Sequence, residues 1–95
     1  MRLTETNGPE TNEDAVALGL AALGWTVSDA DRARRLLDTT GLTPSDLRAR
    51  AAEPDVLAAV LGFLEAYEPN LIACAEEMGC KPAALVAARA TLESA

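Results

Sequence analysis

The sequence contains no histidine, only three aromatic residues (Trp25, Phe63 and Tyr67) and only two cysteines among its 95 residues. Histidine is the side chain whose ordinary pKa lies nearest neutrality, so its absence excludes His-based acid–base pairs, Ser–His and Cys–His nucleophiles, and zinc sites that draw on imidazole. Cys74 and Cys80 lie six positions apart. That spacing fits neither a Cys-x-x-Cys redox pair nor a zinc ligand set, so both read as reduced thiols in or near a core, and neither a metal nor a cofactor is expected. With so few aromatics, the core must be filled by Leu, Val and many alanines, small side chains that let helices pack closely.

Basic residues are also scarce: eight Lys and Arg face fifteen Asp and Glu, a formal charge of −7. Such a surface repels phosphate backbones and anionic headgroups, so nucleic-acid and membrane partners are disfavoured. Long apolar runs are missing as well. The longest uncharged stretch, Ala15 to Val27, contains Gly19 and Gly24 and is far short of the roughly 20 residues needed to span a bilayer. Residues Met1 to Asn12 carry no apolar run, so they read as neither signal peptide nor anchor. The expectation is a disordered tail over 1–11, a single helical domain over 12–95 and a cytoplasmic location.

What is present is helical periodicity. No segment alternates apolar and polar residues as a half-buried strand does, whereas apolar positions recur at spacings of three and four. Thr11-x-x-Asp14 and Ser28-x-x-Asp31 resemble capping boxes with Asp in place of Glu. Pro44, Pro54, Pro69 and Pro82 suit first helical positions, where the missing N–H has no intrahelical partner. Gly41 and Gly79 suit the left-handed residue just past a helix end. Six helices follow, at about 12–26, 28–40, 44–52, 54–67, 69–78 and 82–93. The fourth is apolar over more than half its circumference and is predicted to be central. The first carries two stripes, Val16-Leu20-Leu23 and Leu18-Ala22-Trp25, so it either lies between two partners or offers one stripe to another molecule, such as a second copy in a homodimer; the internal arrangement is preferred.

Displacing the sequence by 38 superimposes residues 21–52 on 59–90 without a gap and gives eight identities. Among them, Gly24, Gly41, Pro44 and Leu47 meet Gly62, Gly79, Pro82 and Leu85, while Trp25 meets Phe63. The expected architecture is a compact all-α bundle built from two pseudo-repeated three-helix halves, about 12–52 and 53–95, sharing one core. The match to Phe63 favours a core wedge over an exposed anchor for Trp25. Each Gly-x-x-Pro turn resembles a helix-turn-helix unit, with Leu37, Gly41 and Leu47 answering to Ala75, Gly79 and Leu85. Residues 81–95 are mostly alanine and aliphatic, however, and offer little that could read base edges.

Charge is polarised along the chain. Arg32, Arg34, Arg35, Arg48 and Arg50 give residues 32–50 a net +3 against −10 elsewhere. Arg32, Arg35, Arg48 and Arg50 are therefore the candidate docking residues for an acidic protein or RNA, because guanidinium groups hold carboxylates and phosphates with two parallel hydrogen bonds. The competing and preferred reading is local neutralisation through Asp31–Arg35 and Asp46–Arg50 pairs at i,i+4. Glu76-Glu77 and Glu65-Glu68 invite a catalytic reading, but no nucleophile or phosphate-cradling loop accompanies them. Cys74, set between Ile72 and Ala75, lacks an activating partner.

Ala-Leu-Gly-Trp at 22–25, Thr-Gly-Leu-Thr-Pro-Ser-Asp-Leu-Arg-Ala-Arg at 40–50 and Leu-Ala-Ala-Val-Leu-Gly-Phe-Leu at 57–64 together resemble a family of small, uncharacterised all-helical bacterial proteins. It is a domain of unknown function found largely in alphaproteobacteria, and the likeness spans about residues 15–92. Cys80 and Lys81 depart from the Leu-Asp expected there. The resemblance implies a compact helical domain and no activity. The functional expectation is a non-enzymatic module that binds another protein, with the alternative of a nucleic-acid-associated regulator using the helix-turn-helix-like unit at about 28–52.

Overall fold

The computed structural model describes residues 11–95; most of the tail expected at 1–11 lies outside this range. Six helices follow one another: α1 (Asn12–Val27), α2 (Ala30–Thr40), α3 (Pro44–Arg50), α4 (Pro54–Glu65), α5 (Glu68–Met78) and α6 (Pro82–Glu93). The predicted all-α bundle is what the chain forms, with boundaries displaced by at most two residues.

The starts follow local chemistry. Thr11 Oγ1 accepts a hydrogen bond from the Asp14 N–H at 3.0 Å. At α3, Thr43 and Asp46 form a complete capping box, Asp46 N–H donating to Thr43 Oγ1 and Thr43 N–H to Asp46 Oδ2, each at 3.0 Å. The Thr43 N–H holds the Asp46 carboxyl below its ordinary pKa. The start of α2 differs from expectation. Asp29, not Ser28, accepts from the Arg32 N–H at 2.9 Å, because the Ser28 hydroxyl donates to the Trp25 carbonyl at 2.7 Å and closes α1 instead. Helices α4, α5 and α6 begin without a side-chain cap and rely on proline in the first turn.

Two helices end at glycine elbows. Gly41 and Gly79 have φ of 79° and 73°, a region that side chains bearing Cβ adopt only at a cost. At Gly41 a single bond joins its N–H to the Leu37 carbonyl. At Gly79 the N–H is shared between the Ala75 and Glu76 carbonyls and the Cys80 N–H donates to the Ala75 carbonyl, a Schellman arrangement that folds residue 80 back over the last turn of α5.

The core is built on α4, which packs against α6, α1, α2 and α5. It buries Val56, Leu57, Ala58, Val60, Leu61 and Leu64, each large aliphatic contributing about 1.5–3 kcal/mol by removal from water. Helix α1 seats a face of small residues, Ala15, Gly19, Ala22 and Thr26, with Gly19 directly over Leu57. The stripe through Leu18, Ala22 and Trp25 turns inward, while Leu20 remains 39% exposed on the other. Thr26 is fully buried and its hydroxyl donates to the Ala22 carbonyl at 2.8 Å. Arg89 of α6 ties Glu65 of α4 and Glu93 of its own helix, an ionic strap along the α4–α6 seam.

The two halves share their order of helix, elbow and proline-started helix but not their depth. Helix α6 buries Ala84, Leu85, Ala88 and Leu92, whereas α3 buries nothing and reaches the core only through half-buried Leu47. No single helix among the described residues is long and apolar enough to cross a membrane; α4 and α5 reach that measure only as a pair bent by 114°.

Candidate functional site

The four arginines singled out by the sequence meet four different environments. Arg32 lies flat on Trp25, its Cζ 3.7 Å from the ring centroid, and Nη2 donates to the Trp25 carbonyl at 2.6 Å and to Ser28 Oγ at 3.1 Å. It pins α2 to the end of α1 and is not available as a docking hand. Trp25 is in consequence half-buried and roofed by a cation, neither a deep wedge nor an open anchor. Arg50 is spent on two carboxylates, Glu53 at 2.9 Å and Asp55 at 2.6 Å, which raise its pKa. Arg48, exposed on α3, makes no ion pair among the described residues.

The predicted i,i+4 pairs do not form. Asp31 takes Arg34 at 2.8 Å, and the Asp46 side chain accepts from the Thr43 N–H in the α3 capping box while Arg50 turns forward to the start of α4. Arg35 is thereby left exposed and without an ion pair among the described residues. It lines an open cleft of about 290 Å³ between α2 and the α4–α5 corner. Helix α2 contributes Arg35, Asp38 and Thr39 to its lining, α4 and the residues that follow it Phe63, Ala66 and Tyr67, and α5 Asn70. The lining is mostly apolar. Tyr67 is 54% exposed, unusual for a large aromatic next to a core.

Sequence reasoning found Arg35 but missed Phe63, Tyr67 and Asn70 as its companions. A signal was available: the apolar stripe of α4 continues to Tyr67, beyond the helix end, where nothing in the same helix can cover it. The elbow after α4 brings that ring opposite α2, a juxtaposition that requires tertiary structure.

The carboxylate candidates are dispersed. Glu65 is held by Arg89, while Glu76 and Glu77 are exposed on α5. Cys74 is completely buried, and burial, reinforced by the neighbouring Cys80, pushes its thiol up to about 11, which Arg32 only partly counteracts. A thiol so placed is a poor nucleophile. Among the described residues, no group of three or more His, Cys, Asp or Glu side chains could hold a metal ion.

No match to a curated protein or to a solved structure was found. Residues 12–95 match the family described as "Protein of unknown function (DUF3572)", which agrees in extent with the helical domain, and the chain belongs to that family.

Proposed function

We propose that the domain is a non-enzymatic interaction module that holds an acidic protein partner at the cleft between α2 and the α4–α5 corner. Arg35 pairs with a carboxylate of the partner, and Phe63 and Tyr67 receive an adjacent apolar side chain. The observation that carries this reading is the meeting of an exposed, unspent guanidinium and an exposed aromatic ring at one mostly apolar cleft. Arginine and tyrosine are enriched among residues that dominate binding energies, especially where apolar walls exclude water. Arg35, exposed and without an ion pair among the described residues, favours a carboxylate-bearing partner at the cleft.

The nucleic-acid reading has less support. Arg50 is neutralised by Glu53 and Asp55, which leaves Arg48 as the uncommitted cation on a helix of seven residues. Phosphate contacts need several such cations.

The test is capture from native cytoplasm by the immobilised chain, with single variants. Arg35→Glu and Tyr67→Ala are each expected to weaken capture about tenfold or more, while Arg50→Glu leaves it nearly intact; far-UV circular dichroism serves to verify the fold. Capture indifferent to both cleft variants contradicts the proposal. Retention of DNA or RNA at low ionic strength, lost in Arg48→Glu, would favour the regulator instead.

A second reading rests on α1. Leu20 and Val27, 39% and 42% exposed, lie on one stripe of the helix, and a second copy of the chain is the simplest cover for it. Sedimentation equilibrium at high concentration is expected to show a mass twice 9.9 kDa, reverting to the monomer in Leu20→Glu. A single species at 9.9 kDa in the unaltered chain excludes this dimer.

A further inference from the structure

Two opposite charges at the cleft are left over from the fold. Arg35 and Asp38 both line it and are both exposed. They lie three positions apart on α2, a spacing that makes side chains neighbours, about 5–6 Å apart at Cβ. Neither forms an ion pair, with the other or with any other group among the described residues. One position earlier on the helix the same spacing does produce a pair, Arg34 with Asp31 at 2.8 Å. The order differs: an acid on the N-terminal side of a base suits the helix, whereas Arg35 and Asp38 have the reverse order.

Asp38 is also poorly placed for the helix that carries it. It belongs to the last turn of α2, which holds no basic residue, and the unpaired carbonyls at that end repel a carboxylate. The fold gains nothing from this charge, yet the same cleft presents it together with an unspent guanidinium and the 54% exposed Tyr67. A cation from outside the chain is its natural complement.

We propose that the segment of the partner seated in the cleft is a short amphipathic helix bearing a carboxylate and a cation one turn apart, the carboxylate on Arg35 and the cation on Asp38, with an apolar stripe beside them against Phe63, Ala66 and Tyr67. This rests on the cleft reading above and makes the contacting surface of the partner amphoteric rather than uniformly acidic. Charge selects it: a wholly acidic segment satisfies Arg35 but meets Asp38 and a chain of formal charge −7. Spacing and backbone chemistry select the helix. Side chains one turn apart match the separation of Arg35 and Asp38, and a helix pairs its own N–H and C=O groups, whereas an extended segment laid on a mostly apolar lining leaves those facing it unpaired.

The test is an NMR titration of the 15N-labelled full chain with three synthetic peptides of about 18 residues, long enough to hold a helix in water. They share one scaffold of Ala, Gln and Leu and differ at two positions one turn apart, which carry Glu and Lys, Glu and Glu, or Lys and Lys. The Glu–Lys helix is expected to shift the amides of the cleft residues and to bind about tenfold more tightly than either of the others. In Asp38→Lys the preference is expected to pass to the Glu–Glu helix, with a melting temperature equal to or above that of the unaltered chain, since a cation suits the end of α2. Equal or tighter binding of the Glu–Glu helix by the unaltered chain, lost in Arg35→Glu, overturns the amphoteric partner and leaves the acidic-partner reading standing. A preference for Glu–Lys that persists in Asp38→Lys overturns it likewise. Absence of cleft shifts with all three peptides, or shifts indifferent to Arg35→Glu, overturns both readings.

Discussion

Leu61→Ala is expected to lower the free energy of unfolding by about 3–4 kcal/mol, read as a reduced midpoint in urea with an unchanged slope. Leu61 is fully buried on α4, the helix enclosed by α1, α2, α5 and α6. The cost has two parts: the lost transfer free energy of the side chain and the cavity left behind. The second part is large where walls cannot collapse, and here they come from several helices that would all have to move together. A domain of this size is stable by only about 5–10 kcal/mol, so this one substitution removes about 30% or more of the total. A loss below about 1 kcal/mol would show that Leu61 is not enclosed as described.

Gly19→Leu is expected to lower the melting temperature by about 10–20 °C, corresponding to about 2–3 kcal/mol. A Cβ at Gly19 would lie 3.1 Å from Leu57 Cβ and 3.3 Å from Leu57 Cδ1. The Leu57 Cβ is fixed to the α4 backbone, so no rotation relieves the contact; α1 and α4 must separate, loosening Ala15, Ala22 and Leu23 with them. Gly24, five residues further along the same helix, has nothing within 4 Å of the corresponding position. Gly24→Ala therefore meets no obstacle and is expected to stabilise by about 0.5–1 kcal/mol through helix propensity. Opposite signs at two glycines of one helix distinguish a seating contact from a general intolerance of substitution.

Features governed by local rules were legible in the sequence. A left-handed residue after a helix favours glycine and a first-turn residue tolerates proline, so Gly41, Gly79 and the four helix-starting prolines marked the elements closely. The start of α2 was misread because Ser28 and Asp29 both qualify as caps, and the choice depends on Ser28 being used by the end of α1. The ion pairs were misread for a similar reason: periodicity shows which residues share a face but not which competing partners lie beyond the helix, such as Glu53 and Asp55 for Arg50.

The repeat was legible as an order of elements and silent about depth. Leu47 and Leu85 align, yet α3 carries Asp46 and Arg50 where α6 has Ala84 and Ala88, and it ends before the position that meets Leu92. Burial follows the apolar face rather than the alignment. The cleft was the least legible feature, since it joins Arg35 to Phe63 and Tyr67 across the bundle; a chain reading identified the cation but not the aromatic wall.

Native-state hydrogen exchange tests most directly whether one core centred on α4 supports every other feature. Amides of α4, and of the α1 and α6 segments against it, are expected to exchange only with global unfolding, while those of α3 exchange through low-energy local opening. Equal protection of α3 and α6 would instead show two equivalent halves and contradict a single α4-centred core.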